Sequence, residues 1–312
     1  MIEAVTEISA ATASPNWKGL GMVAKRSGLV GFLYLAPALA FVAAFTLYPF
    51  AQMGWMSLHN WSLLSGAKYV GFGNFVKIWH DPQFWASLAF TFKYTLLITP
   101  ILMILGVLIA LLTASNTPLR RFTRAVVFAP VVIGLGASSL LWYWLFSYDF
   151  GLINRSLLDL GIIQAPVVWF GADANVAMWA VIASIVWKVV GFGTILFVAA
   201  IQGIPSEVTE AALVDGAGYW QRVRRITLPL IAKTILLVTL VSVIGSLLAF
   251  DQFYIMTAGQ PRNLTATTVF LIYLNSFPYL KLGYGAAMSL VLAGIILVCT
   301  IFQMILSRRA QS

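Results

Sequence analysis

The chain has 312 residues, of which 61% are hydrophobic and only 9% are charged. A soluble domain is usually near half apolar and about a quarter charged, so this composition excludes an ordinary soluble protein and indicates a membrane protein. The net charge of +9 comes from short basic clusters between long apolar runs. A nucleic-acid-binding protein has a continuous basic patch instead, so no nucleic-acid partner is expected.

Six apolar stretches of the chain are long enough to cross a membrane as helices. A helix that rises about 1.5 Å per residue needs about 20 mostly apolar residues to cross a hydrocarbon core of about 30 Å. In chain order, the predicted spans are residues 29–50, 88–112, 125–146, 176–201, 231–250 and 285–306. We therefore predict an all-α, polytopic membrane domain over residues 29–309.

The two ends of the chain are predicted tails, residues 1–28 and residues 310–312. The first tail lacks the short apolar core and the cleavage site of a secretory signal, so the first span is expected to be retained. Most lysines and arginines outside the spans lie near the two ends and beside the loops after the second and fourth spans. Because such residues favour the cytoplasmic side, both termini and these two loops are predicted to be cytoplasmic.

The loop between the fourth and fifth spans contains a short predicted helix. Ser206 stands at its start, where a hydroxyl can cap free backbone N–H groups. Glu207 and Glu210 place negative charge near that end, and Gly216 and Gly218 mark the other end. The small, apolar and acidic surface that results fits a groove in a partner protein. The alternative is an interfacial helix that lies among membrane lipid headgroups.

Lys188 is the one charge near the middle of a predicted span, where a bare ammonium costs on the order of a few kcal/mol and must face protein or water. It either pairs with a carbonyl or carboxylate of another helix or contacts a polar or anionic substrate. Its neighbour Trp187 is a further candidate for the substrate path. Asp251, Gln252 and Tyr254, at the outer end of the fifth span, suit hydroxyl-rich ligands, or else form an outer gate or a contact with a binding protein.

The sequence shows no catalytic or metal-binding constellation. His59 and His80, the two histidines, lie in the first outer loop without the helical spacing of a metalloenzyme, so no metal site is predicted. A nucleophile with its base, or a pair of acid and base carboxylates, is not apparent either. The phosphate-binding pattern Gly-x-x-x-x-Gly-Lys-Ser/Thr is absent from the sequence. We therefore expect no enzymatic activity and no cofactor in this chain.

One long motif identifies a family resemblance. The run from Glu210-Ala-Ala through Asp215-Gly-Ala to Ile226-Thr-Leu-Pro229 resembles the EAA loop of permease subunits in binding-protein-dependent ABC importers. Two further stretches, Val70-Gly-Phe-Gly-Asn-Phe75 and Asp81-Pro-Gln-Phe-Trp85, resemble the carbohydrate and glycerol-phosphate branch of that family, which includes the maltose permease subunit MalF. The resemblance extends over roughly residues 29–309.

The resemblance implies a permease subunit that forms half of a translocation pathway in a bacterial inner membrane. Its implied partners are a second, non-identical permease, a dimer of ATP-binding cassette ATPases that uses ATP and Mg²⁺, and a periplasmic or lipid-anchored solute-binding protein. The residues implied in coupling to the ATPase are Glu207, Glu210, Ala211, Ala212, Asp215 and Gly216. The implied solute is a sugar, glycoside or related polyol derivative. Alternatives are an importer for another solute class or a secondary transporter, although the latter normally has intramembrane carboxylates that these spans lack.

Overall fold

The computed structural model describes residues 20–62 and 66–309, with side chains described from residue 31 to residue 305. Helices account for most of the described chain, as the all-α prediction requires. The chain forms two compact units, of which the first ends at Trp55 and the second begins at Met56. The predicted C-terminal tail and residues 1–19 of the predicted N-terminal tail lie outside the described residues. Helix α1 begins at Leu20, inside the predicted tail.

The first unit contains one long apolar helical run. It consists of α1 (Leu20–Val42), a π-helical turn (Ala43–Leu47) and most of α2 (Tyr48–Ser57). The stretch Gly31–Ser57 is long and apolar enough to cross a membrane. Its large side chains, such as Phe41 and Phe45, are exposed. A helix that is apolar on all sides needs lipid or another protein around it, and this is the environment that the sequence predicted for its first span.

The second unit begins with a small segment that the sequence did not predict. Strands β1 (His59–Ser62) and β2 (Gly66–Tyr69) form an antiparallel hairpin, which α3 (Gly73–Trp79) follows. The buried Asn74 side chain donates hydrogen bonds to the carbonyls of Ser57 (2.8 Å) and His59 (3.0 Å). These bonds hold α3 against the start of strand β1.

Two long helices form the centre of the second unit. Helices α4 (Pro82–Thr113) and α8 (Ala174–Gln202) pack along each other, and they contain the predicted spans 88–112 and 176–201. Their close approach depends on Gly106, where an added Cβ would lie 3.1 Å from the Phe197 ring. The last predicted span lies in α15 (Leu282–Arg309).

The third predicted span is broken in the structure. Helix α5 (Pro118–Val132) and helix α6 (Leu135–Leu145) meet at a bend of 100°, so the span predicted over residues 125–146 consists of two helices. Pro130 lies in the last turn of α5, and Ile133 has extended backbone angles of φ −69° and ψ 135°. A proline removes a backbone donor, and an extended residue after it ends the helical hydrogen-bond pattern.

The fifth predicted span, residues 231–250, is a single helix, α12 (Ala232–Leu247), which ends three residues before the predicted end. A bend of 66° lies just before it, between the helical run Tyr219–Leu230 and α12. If each bent pair counts as one span, the described chain has the predicted number of crossings, four continuous and two bent. The remaining helices, in chain order, are α7 (Leu152–Asp159), α9 (Ser206–Val214), α10 (Tyr219–Arg222), α11 (Leu228–Leu230), α12 (Ala232–Leu247), α13 (Asp251–Met256) and α14 (Thr268–Ser276), with a second π-helical turn at Val223–Thr227.

Candidate functional site

Helix α9 is the short helix that the sequence predicts between the fourth and fifth spans. Its N-cap residue is Pro205, and no side chain there bonds to the free N–H groups. The predicted Ser206 cap is therefore wrong, because Pro205 occupies the capping position with φ −56° and ψ 138° and Ser206 is already helical. Glu207 lies in the first turn, where the helix dipole favours a carboxylate.

The other end of α9 is closed by a glycine. Gly216 has φ 75°, in the left-handed region, and its N–H donates to the carbonyl of Leu213 at 3.0 Å. The N–H of Ala217 donates to the carbonyl of Ala212 at 2.9 Å. This pair of bonds satisfies carbonyls that a helix end leaves free, and it requires a residue that tolerates positive φ. The glycines in the sequence predicted the end of the helix for this physical reason.

Nearly all of α9 is exposed. Of the implied coupling residues, Ala212 alone is buried, with 8% of its surface accessible, so it packs within this chain. The others are exposed, namely Glu207, Glu210, Ala211, Asp215 and Gly216. Val214, at the end of the helix, is 89% exposed. Helix α9 therefore presents an acidic and partly apolar surface outward.

A set of hydrogen bonds joins the ends of α4, α5 and α8 near the start of α9. The Arg124 guanidinium donates to the carbonyl of Thr113 (3.1 Å) and to the side-chain oxygen of Asn116 (3.4 Å). The Gln202 amide donates to the carbonyl of Ala114 (2.7 Å) and also to Asn116 (3.4 Å). We call Asn116, Arg124 and Gln202 the polar clamp. Sequence reasoning missed this clamp, because Gln202 lies far along the chain from Asn116 and Arg124 and meets them only in the folded protein.

A cavity of about 250 Å³ lies between helices α4, α6, α8, α12 and α13. Most of its lining is aliphatic, with Ile98 and Ile185 on two sides. Its polar groups come mainly from one end, where α12 meets α13, and they include Asp251 and Gln252. The structure thus places two of the five predicted path residues at one internal space.

The polar end of the cavity combines an acid, an amide and a phenol. Gln252 is buried and interacts through its side chain with the hydroxyl of Tyr94. The Asp251 carboxylate is partly buried, and it has no hydrogen-bond or ion-pair partner among the described residues. A carboxylate with free acceptor sites can bind the hydroxyl groups of a solute. This end of the cavity is therefore the part best able to contact a polar molecule.

Lys188 does not line the cavity. Its ammonium donates to the carbonyls of Pro130 (3.0 Å) and Val131 (2.9 Å), and the residue is 6% exposed. These carbonyls belong to the last turn of α5, where a helix has spare acceptors, and that of Pro130 also accepts from the N–H of Ile133 at 3.2 Å. Of the two alternatives for Lys188, this geometry favours pairing with a carbonyl over contact with a substrate.

The two remaining path candidates lie in aromatic clusters. The Trp187 ring meets the Trp142 ring of α6 edge to face, with ring centres 5.7 Å apart. Tyr254 stacks on Phe250 at 5.3 Å and lies 5.3 Å from Tyr273. Phe250 lines the cavity, whereas Trp187 and Tyr254 do not. Tyr254 thus lies beside the cavity, stacked on its lining residue Phe250.

Sequence reasoning missed three polar residues of the lining, namely Tyr94, Ser242 and Ser246. The two serines are four residues apart in α12 and therefore lie on one face of it. The Ser242 hydroxyl is buried and has no hydrogen-bond partner in the described part of the chain. The spacing of the two serines could have indicated a polar face of α12, but whether that face points into a cavity depends on how the helices pack. No group of three or more potential metal ligands occurs among the described residues.

A bundle of bent and continuous spans, an internal cavity and a protruding loop helix together define a membrane transport subunit. Residues 103–312 match the family described as "Binding-protein-dependent transport system inner membrane component". The chain belongs to this family, the multi-pass inner-membrane permeases of ABC importers that act with a binding protein. This confirms the resemblance seen in the EAA loop.

Curated relatives and a solved structure agree with this assignment. The chain is 34% identical to the lactose transport system permease protein LacF of Rhizobium radiobacter, over 89% of this chain and 94% of that protein. It is 33% identical to the sulfoquinovosyl glycerol transport system permease protein SmoG of Agrobacterium fabrum, over 89% and 88% of the two chains. Its fold matches a chain in the crystal structure of a bacterial ABC transporter involved in the import of the acidic polysaccharide alginate. That match has a TM-score of 0.81 and 24% identity, and it covers 93% of this chain and 98% of the other.

Proposed function

We propose that this chain forms half of the translocation path of an ATP-driven importer for a sugar, glycoside or related polyol derivative. The other half is a second, non-identical permease. ATP and Mg²⁺ are used by a separate dimer of ATP-binding cassette ATPases. The solute class is supported by the names of the similar permeases, which refer to lactose and to sulfoquinovosyl glycerol. A periplasmic or lipid-anchored binding protein delivers the solute.

The observation that carries the coupling role is the exposure of α9. Nine residues are too few for a stable isolated helix, and most of the surface of α9 is not covered by its own chain. A partner that packs against this surface supplies the missing stabilisation.

The charge of α9 supports a protein partner over a lipid surface. The stretch from Ser206 to Asp215 contains Glu207 and Glu210 and no lysine or arginine. Interfacial helices are usually rich in basic residues because the headgroups on the cytoplasmic face are often anionic. An acidic helix is repelled by such a surface, so we assign α9 to a groove on the ATPase.

The cavity supports a path for a polar solute. Its aliphatic walls offer few directed contacts, while Asp251 and Gln252 supply acceptors and a donor at one end. A transported solute must be released as well as bound, so a site with a few polar contacts in an otherwise apolar space is suited to transit. Two walls of the cavity are formed by α8, which precedes α9 in the chain, and by α12, which follows it after two short helices.

Coupling then follows from chain connectivity. Helix α9 is joined to α8 by three residues and to α12 through α10, the second π-helical turn and α11. When the ATPase closes around α9, these connections transmit the displacement to two walls of the cavity. ATP binding therefore drives transport by stabilising one of two conformations more than the other. In the proposed orientation, both termini and α9 face the cytoplasm.

Reconstitution tests this proposal. The chain is purified with its sister permease and ATPase, inserted into vesicles, and given the cognate binding protein loaded with a sugar. We expect uptake that requires both ATP and the binding protein. Uptake that persists without ATP and follows a proton or sodium gradient would contradict the proposal.

A further inference from the structure

A groove with a charged end runs between helices α5 and α8. The two helices cross closely at Gly191, where an added Cβ would overlap the carbonyl of Val127 and lie 2.8 Å from the Cα of Phe128. Between this crossing and the polar clamp lies an open groove of about 290 Å³. It is lined by Arg124, Ala125, Phe128, Ile195, Val198 and Gln202, among others.

The dimensions of the groove favour a narrow, flexible occupant. From Gly191 to Gln202, helix α8 rises by about 16 Å, at about 1.5 Å per residue. The walls over this length are apolar, with Phe128 on α5 and Ile195 and Val198 on α8. A whole helix is about 10 Å across and is too wide for a space of this volume. A single extended hydrocarbon chain fits it.

The charged end of the groove favours an anion. The described hydrogen-bond acceptors of Arg124 are neutral, the carbonyl of Thr113 and the amide oxygen of Asn116. The stretch from residue 113 to residue 132 contains no aspartate or glutamate. Glu207, the first carboxylate after Gln202 in the sequence, makes no ion pair with Arg124 among the described residues. The guanidinium has five N–H donors, so it retains donors for a phosphate while the polar clamp fixes its position.

We propose that this groove binds one anionic phospholipid of the surrounding bilayer. The phosphate lies at Arg124 and Gln202, and one acyl chain lies between α5 and α8 against Phe128 and Ile195. In the orientation given under the proposed function, this lipid belongs to the cytoplasmic leaflet, where anionic lipids attract basic residues at the ends of spans. The bound lipid fills the space between two helices immediately before α9. It is therefore placed to support the position of the coupling helix.

Lipid retention tests this inference without any measurement of transport. The complex of both permeases and the ATPase is placed in nanodiscs with equal amounts of phosphatidylglycerol and phosphatidylcholine of the same acyl chains. It is then released into detergent, and the lipids that remain bound are counted by native mass spectrometry. We expect phosphatidylglycerol to be retained in clear excess.

Three variants locate the site. Removal of one basic residue near the membrane surface weakens binding of an anionic lipid about fivefold, so Arg124→Gln should lower the excess by that factor. Arg121→Gln removes the same charge from an exposed position outside the groove and should change it less than twofold. Ile195→Phe fills the groove, leaves every charge in place, and should also lower retention. The Ile195→Phe result stands even if Arg124→Gln fails to assemble.

The inference is overturned if the complex retains the two lipids equally or if the two arginine variants lose the same amount of phosphatidylglycerol. It is also overturned if Ile195→Phe retains as much phosphatidylglycerol as the unmodified complex, or if inorganic phosphate at constant ionic strength releases the lipid. Retention by the isolated chain but not by the complex would also overturn it, because the sister permease would then cover the groove. A failure of transport in the reconstituted importer leaves these outcomes unaffected, so the two proposals fail separately.

Discussion

The ammonium of Lys188 donates hydrogen bonds to the carbonyl of Pro130 at 3.0 Å and to that of the next residue, Val131, at 2.9 Å. This relationship joins the middle of α8 to the point where α5 ends and the chain turns by 100° into α6. Lys188, the one charged side chain that is buried among the described residues, therefore supports a bend. It supplies a charged donor to two carbonyls at the end of α5, of which that of Pro130 also accepts from the N–H of Ile133 at 3.2 Å, in an environment where unbonded carbonyls are costly.

Replacement of Lys188 by methionine is expected to lower stability and to leave solute recognition intact. Hydrogen bonds from a charged donor are worth roughly 1.5–3 kcal/mol each, so the loss should be about 3–6 kcal/mol for the two bonds together. Thermal unfolding of the purified complex measures the first effect, and the KM for uptake at a temperature where the variant is folded measures the second. Lys93→Met, which removes an exposed bond to Asn175, is the matched control. A raised KM without lower stability would assign Lys188 to the substrate path.

The crossing of α5 and α8 should not tolerate a side chain at Gly191. Alanine there overlaps the backbone of Val127 and Phe128, and such overpacking costs about 1–3 kcal/mol. Gly245→Ala serves as the control, because nothing lies within 4 Å of its added Cβ and alanine favours a helix by up to about 1 kcal/mol. Unfolding experiments on both variants should therefore give shifts of opposite sign. Equal stability of the two would show that the helices do not cross at Gly191.

The turn after α9 should depend on the conformation of Gly216 and not on its small size. Its φ is 75°, and its added Cβ would meet nothing within 4 Å. The left-handed conformation costs an ordinary residue about 1–2 kcal/mol, whereas asparagine adopts it more readily. Gly216→Val should therefore reduce solute-stimulated ATP hydrolysis several-fold, and Gly216→Asn should retain most of it. Equal activity of the two variants would argue against a role for this turn in coupling.

The Asp251 carboxylate should contribute to solute binding in the cavity. Loss of one hydrogen bond to a charged acceptor is worth about 1.5 kcal/mol, which corresponds to about a tenfold rise in the KM for uptake in Asp251→Leu. Basal ATP hydrolysis should be unchanged, because Asp251 lies at the cavity and not on α9, the helix proposed to contact the ATPase. Asp149→Asn, which removes a negative charge from an exposed residue, should leave the KM as it is. An unchanged KM in Asp251→Leu would remove this residue from the path.

The sequence predicted those parts of the fold that local composition determines. The apolar run of residues 176–201 contains no proline and forms a continuous helix, and that of residues 88–112 stays helical although Pro100 removes one backbone donor. A kink could be expected at Pro130 from the proline itself, but the size of the bend, 100°, could not, because the Lys188 ammonium that bonds to the carbonyls there lies far away in the sequence. The hairpin at His59–Ser62 and Gly66–Tyr69 was missed for a related reason, since its pairing is secured by Asn74 of the next helix.

The candidate sites show the same division. Gly216 could be predicted as a helix end because positive φ is a property of the residue itself. Asp251 and Gln252 were found because polar residues at the end of an apolar run stand out. Tyr94 and Ser242 were not found, because the side of a helix that faces a cavity is determined by how several helices pack. The polar clamp needs three separate segments to meet, and no local pattern reveals such a meeting.

The most direct test of the central claim, that α9 engages a separate ATPase, is solute-stimulated ATP hydrolysis by the reconstituted complex that carries Glu210→Lys. Glu210 is exposed on α9, and a reversed charge at the contact surface should abolish stimulation while leaving membrane insertion intact. Thr209→Lys adds the same group at the neighbouring exposed position, about 100° around the helix at 3.6 residues per turn, and should retain most of the stimulation. If Glu210→Lys is stimulated as strongly as the unmodified complex, α9 does not couple to the ATPase through this surface.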